Sequence, residues 1–214
     1  MFYCPYESII NDQYRQPLKN SFIRVMHASP NAPPVDIYEN GNLIIQNLAF
    51  KDFSQYMSVI PGTYNIQVYP AGKKVKPIID TSLIIPENTV FNVSVIGELP
   101  NISLYPIPEP TTAQNFGRAC VRFVHLSPNA PAVDVTLSDG KKVFSNVNYT
   151  EFTQYACIPS GSYTFQVYPT GSKDIVLTVP NVQLMANNYY SIYLVGEVGG
   201  YEPLQAIAIL EGTQ

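Results

Sequence analysis

Apolar and polar positions alternate along this chain in short bursts, each closed by a turn residue. In "TYNIQVYP" (63–70), Tyr64, Ile66 and Val68 fall on one face of an extended segment and Asn65, Gln67 and Tyr69 on the other. Similar bursts predict strands near 22–28, 34–39, 43–47, 54–60, 63–70, 78–85, 89–97 and 102–106, with turns at Asn40-Gly41 and Pro61-Gly62. No segment sustains a helical period. Seven or eight strands in about 95 residues describe a β-sandwich.

The pattern then occurs again. "RVMHASPNAPPVDIY" (24–38) returns as "RFVHLSPNAPAVDVT" (122–136), an offset of 98. "FSQYMSVIPGTYNIQVYPAG" (53–72) returns as "FTQYACIPSGSYTFQVYPTG" (152–171), and "VSVIGE" (93–98) as "IYLVGE" (192–197), both at 99. One residue has therefore been inserted near the Tyr38–Gly41 hairpin loop. A period this long indicates tandem domains rather than a solenoid. The expected organisation is an N-terminal segment (1–20), a first sandwich (21–108), a linker (109–118) drawn mostly from "PEPTTAQNFG" (108–117), and a second sandwich (119–214). With little to bury at the joint, the two copies are expected to fold separately.

"HASPNAPPVD" (27–36) gathers His27, Ser29 and Asp36, and its twin gathers His125, Ser127 and Asp134. A hydrolytic triad needs an imidazole within reach of both a hydroxyl and a carboxylate. Strand alternation puts His27 and Asp36 on opposite sides, and Ser29 precedes a proline with no glycine-rich elbow. The favoured reading is a proline-stiffened turn in which His27 and His125 satisfy backbone carbonyls. A hairpin centred on Pro30 would set Arg24 opposite Asp36, and Arg122 opposite Asp134, as cross-strand charge pairs. No catalytic residue is assigned, and a hydrolase using the His-x-Ser-Pro motif is the least favoured alternative.

The net charge of −4 and the lack of a basic cluster argue against nucleic acid as a partner. Two histidines, one per copy, offer no metal-ligand cluster, and no cofactor is expected. Cys4, Cys120 and Cys157 are an odd count without CxxC spacing. Reduced thiols are expected, with a Cys120–Cys157 bridge left open and Cys4 expected to be exposed. The start lacks the basic and apolar regions of a secretory leader, and no apolar run reaches the ~20 residues of a membrane span. A cytoplasmic location is the expectation from sequence.

Sixteen tyrosines stand out in a chain with no tryptophan. Gln67 and Tyr69, Gln166 and Tyr168, and Tyr189 and Tyr193 are expected to face outward, where rings beside amides can stack on sugars or form partner surfaces. Outward from one sheet is not the same as wet, and burial of these rings against the other domain, a terminal segment or a second sheet is the favoured expectation.

His-x-Ser-Pro-Asn-Ala-Pro-x-Val-Asp followed by "PGTYNIQVYPAG" resembles the bacterial and archaeal family known as domain of unknown function 4397, over roughly 21–98 and 119–197. The second segment is also similar to the Gly-x-Tyr strand of prealbumin-like and carboxypeptidase-regulatory-like sandwiches. The resemblance implies an all-β fold of two tandem immunoglobulin-like or prealbumin-like β-sandwich domains. It further implies a module often found on exported or surface-attached proteins, with no established enzymatic activity. Duplication and charge-poor, tyrosine-rich strands without a reactive cluster make a non-catalytic structural or interaction module, with a protein or glycan partner at a cell or spore surface, the leading expectation. A carbohydrate-binding protein using exposed tyrosines is the alternative.

Overall fold

The computed structural model describes residues 19–112 and 117–212. The described residues form sixteen strands in four four-stranded sheets. In the first unit these are β1 (Ser21–His27), β2 (Val35–Glu39), β3 (Asn42–Leu48), β4 (Met57–Val59), β5 (Gly62–Pro70), β6 (Ile79–Ile85), β7 (Val90–Glu98) and β8 (Asn101–Glu109). The second repeats them as β9 (Arg118–His125), β10 (Val133–Leu137), β11 (Lys142–Val147), β12 (Ala156–Pro159), β13 (Gly161–Pro169), β14 (Leu177–Leu184), β15 (Tyr189–Val195) and β16 (Gln205–Leu210). All eight strands expected in the first copy are present.

Each unit is a sandwich. Sheet β4-β1-β7-β8 packs on β3-β2-β5-β6, and β12-β9-β15-β16 packs on β11-β10-β13-β14. Ile23, Val25, Val93 and Val95 from one sheet meet Val35, Ile37, Ile66 and Val68 from the other in the first core. The inserted residue lies in the β10–β11 loop. β2 and β3 join through Asn40-Gly41, both at positive φ, as a two-residue primed turn requires. The second copy closes instead over Ser138-Asp139-Gly140, with Leu137 N–H donating to Lys141 O.

One expectation is overturned at β1. It does not form a hairpin with β2; it pairs antiparallel with β4 and parallel with β7, while β2 pairs with β3 and β5 in the opposite sheet. "HASPNAPPVD" is therefore a crossover between sheets, and Arg24 never faces Asp36. Pro30, Pro33 and Pro34 carry no N–H, so this stretch cannot extend a ladder, and the chain turns from one layer to the other there.

Central strands paired in parallel are commonly buried on both sides, and β1, β7, β9 and β15 are. Their second faces meet between the units. Met26, Ala28, Ile96 and Ile107 of the first unit form one buried cluster with Val124, Leu126, Tyr193 and Val195 of the second. The expectation that little is buried at the joint is thereby corrected: two sheets, one from each unit, share an apolar interface.

The cysteine expectation is corrected as well. Cys120 on β9 and Cys157 on β12 are direct cross-strand partners and form a disulfide. Their counterparts, Phe22 and Ser58, hold the same register without a bond. Cys4 lies outside the described residues.

Candidate functional site

The crossover motif uses each of its polar side chains on backbone. His27 Nε2 lies 3.1 Å from Pro33 O; a carbonyl only accepts, so Nε2 carries the proton. Nδ1 then accepts the Ser29 N–H at 3.3 Å. Ser29 Oγ donates to Gly97 O at 2.6 Å, and Asn31 Oδ1 accepts the Leu99 N–H at 2.9 Å. Asp36 accepts the N–H groups of Asn47 and Gly72, each at 2.8 Å. Asn47 has a positive φ at a register shift between β2 and β3, so this carboxylate caps a bulge.

The second copy keeps the main bonds, although His125 Nδ1 is buried without a hydrogen-bond partner among the described residues and Asp134 turns its second oxygen to Lys142. His125 Nε2 meets Pro131 O at 3.1 Å, Ser127 Oγ donates to Gly196 O at 2.6 Å, and Asp134 Oδ1 accepts the Asn146 N–H at 2.8 Å. Gly97 and Gly196, the partners of the two serines, have φ of +91° and +85°. A Cβ on either would collide with a backbone carbonyl, of Asn101 or of Pro203, which accounts for glycine in both "VIGE" and "LVGE". Burial pulls both histidines below the usual imidazole range, against the carbonyl bonds that favour the charged form. His27, Ser29 and Asp36 thus sit within ten residues of sequence without forming a triad: both ring nitrogens bond backbone groups, Ser29 Oγ bonds Gly97 O, and Asp36 serves a different loop.

The arginines serve the interface between the units. Arg24 Nη2 pairs with Glu109 Oε1 at 2.6 Å, and Arg122 Nη2 with Glu211 Oε1 at 2.6 Å, all four side chains being buried. Each guanidinium also donates into the other unit, Arg24 to Leu210 O at 3.3 Å and Arg122 to Pro108 O at 2.8 Å. Phe53 and Tyr56 stack on Arg24, and Phe152 and Tyr155 on Arg122. Tyr56 and Tyr155 donate to Glu109 and Glu211, and burial followed by the neighbouring carboxylate pushes both phenols up.

The tyrosines divide. Tyr193 is 0% exposed, inside the shared cluster, and donation from Asn92 Nδ2 reaches its hydroxyl at 2.7 Å. Tyr69 is 7% exposed, with Tyr38 edge-on at 5.3 Å. Gln67 is engaged with Asp80 at 3.0 Å, and half-buried Tyr189 packs edge-on against Tyr155. Tyr193 and Tyr69 are therefore not outward surfaces.

Tyr168 is different, because Thr136 replaces the Tyr38 that covers its counterpart. Its hydroxyl donates to Gln166 Oε1 at 2.9 Å, and its ring lines a depression with Asp134, Thr136, Lys142, Ser172 and Lys173. Lys142 pairs with Asp134 at 2.6 Å, which with the Asn146 N–H holds that carboxyl below its usual range. The hydroxyl of Thr136 is buried without a hydrogen-bond partner.

A separate cavity of about 350 Å³ lies between the sheets of the first unit. Its walls are Ile, Val, Leu and Met side chains with Tyr64, and Glu39 and Ser58 are its polar residues. Among the described residues, no group of three or more His, Cys, Asp or Glu side chains could hold a metal ion, and no helix is long and apolar enough to cross a membrane.

Among curated proteins, none matches this chain. Of solved structures, CBMbc, a family CBM26 module from Eubacterium rectale Amy13K crystallised with maltoheptaose, is similar over 91% of this chain and 98% of its own. Identity is 8% and the TM-score 0.29, and a likeness that slight carries no ligand across. The family described as "Domain of unknown function (DUF4397)" matches residues 21–136 and 136–211, which hold both crossover motifs and most of both sandwiches, and the chain belongs to that family.

Proposed function

We propose that this protein is a non-catalytic interaction module, built as a pair of sandwiches and working at a cell or spore surface. The observation that carries the reading is the use of His27, Ser29 and Asp36, and of their twins, to hold backbone. A hydroxyl donating to Gly97 O and an imidazole donating to Pro33 O have no free role in general-base attack. The apolar interface between the units presents them as one body, which suits a scaffold. Recovery of the tagged protein in the surface fraction of growing or sporulating cells, with no labelling by a serine-reactive fluorophosphonate, is expected. Purely cytosolic recovery under both conditions overturns the surface half, and stoichiometric labelling at Ser29 or Ser127 overturns the non-catalytic half.

A second reading, saccharide binding, is favoured by the depression around Tyr168. A half-exposed ring beside a carboxylate, a lysine and a buried, unpartnered Thr136 hydroxyl offers the stacking face and polar contacts a sugar needs. Binding on a glycan array that is lost in Tyr168→Ala and kept in Tyr69→Phe supports it. An array without hits removes it.

A further inference from the structure

The two copies differ in what fills the space between their sheets. Val25 and Ile66 stand on the wall of the first unit's cavity. The repeat offsets place Phe123 and Phe165 at the same positions of the second unit, both fully buried in its core. Phe144, facing Val135 as Ile45 faces Ile37, adds a third ring, 6.5 Å from Phe123. One fold thus carries a ring-filled interior in one copy and a 350 Å³ space in the other.

An apolar space of roughly 150 Å³ already holds one benzene. The first unit's cavity is more than twice that and falls in the range of small-molecule sites, about 300–1,000 Å³. Its rim is open to solvent, for Ile60 and Ile44 there are 63% and 36% exposed. Sandwich sheets stand about 10 Å apart, so once side chains project from both, the remaining slot is narrow and flat. A slot walled by branched aliphatic side chains suits a single alkyl chain. The head group follows from charge. Glu39 is the charged residue of the lining, with no lysine or arginine among the lining residues. A carboxylate head would meet a like charge there, whereas a hydroxyl can donate to Glu39.

We infer that the first unit binds one linear aliphatic alcohol of about ten to twelve carbons, its chain between the sheets and its hydroxyl at Glu39. This deepens the interaction-module reading by giving it a small-molecule ligand. It is independent of the Tyr168 depression, which lies in the other unit, and of cellular location, so its failure leaves both of those tests standing.

The experiment is calorimetric titration of the full chain with decanol and with decanoate, at mildly alkaline pH where decanoate is ionised, alongside methyl NMR. Decanol is expected to bind saturably, one per chain, with shifts at Ile23, Ile37 and Ile66 and none in the second core. Decanoate should bind at least about tenfold more weakly, and Glu39→Gln should remove most of that difference. Val25→Phe and Ile66→Phe, which install the second unit's residues, should each weaken decanol at least about tenfold in a folded protein. Should one of them fail to fold, the other and the wild-type NMR map decide. Absence of saturable binding, shifts outside the first core, or undiminished affinity in a folded Phe variant overturns the inference. Decanoate binding as tightly as decanol overturns the assignment of the head group.

Discussion

Arg24 and Glu109 meet at 2.6 Å with side-chain exposures of 4% and 0%, at opposite ends of the first unit's sequence. The pair ties β1 to the end of β8, and Arg24 continues into the second unit at Leu210 O. Taking one partner from a buried pair leaves an uncompensated charge, which costs about 3–5 kcal/mol. Glu109→Leu should therefore lower stability by that amount in urea denaturation, with little dependence on salt because water does not screen the site. The double variant Arg24→Met, Glu109→Leu should recover much of the loss. A single variant melting like the wild type would show that the pair is solvated.

The shared cluster of Met26, Ala28, Val124, Leu126 and Tyr193 couples the units. Calorimetry of the full chain should give one transition, at a higher temperature than residues 117–214 expressed alone. The fragment exposes Val124, Leu126 and Tyr193 and should self-associate. Two independent transitions in the full chain, one matching the fragment, would show that the interface contributes little.

The sandwich strands were legible because alternation and Asn-Gly or Pro-Gly turns are local signals. Strand pairing was not. β1 and β2 are neighbours in sequence and read as a hairpin, yet the three prolines between them send β2 into the other sheet. The arginine partners were hidden for a different reason. Glu109 and Glu211 are 102 apart, because the β15–β16 loop is longer than the β7–β8 loop, so the repeat slips out of register before reaching them. Glu109 also sits among the proline and threonine residues that read as linker. "FSQY" and "FTQY" were visible as a repeat, but their use required the fold. Phe53 and Tyr56 cover Arg24, while Ser54 Oγ accepts the Val25 N–H at 2.8 Å. Tyr193 looked outward because alternation reports a face of its own sheet and says nothing of a second sheet packed there.

The Cys120–Cys157 disulfide joins edge strand β12 to β9 across a sequence separation of 37 residues. Closing a loop of that size stabilises by about 3–4 kcal/mol in the chain-entropy picture. Reduction, or Cys120→Ala with Cys157→Ala, should lower the melting temperature while leaving Tyr168 and any binding there in place. An unchanged melt under strong reductant, with free thiols counted by alkylation, would argue that the cross-strand register alone secures β12.

His27 and His125 should make stability depend on pH between about 5 and 7. Unfolded imidazole titrates near 6.5, and burial lowers both folded values, with Asp52 near His27 and Glu151 near His125 opposing the shift only weakly. Above the unfolded value both states are neutral and the full contribution is present. As pH falls through it, the unfolded chain takes up protons that the folded chain resists, so stability declines by up to about 1.4 kcal/mol per pH unit for each histidine. Glu109, pushed up chiefly by burial against the opposing pull of Arg24, works in the contrary sense at lower pH. Comparison with a His27→Gln, His125→Gln variant cancels that contribution. Glutamine does not titrate, so the slope of melting temperature against pH over this window should flatten in the double variant. His27→Ala, which strands Pro33 O and the Ser29 N–H and opens a void, should cost about 2–4 kcal/mol at neutral pH. Parallel pH slopes for wild type and double variant would mean that neither buried histidine resists protonation, and the crossover would then owe its geometry to the prolines alone.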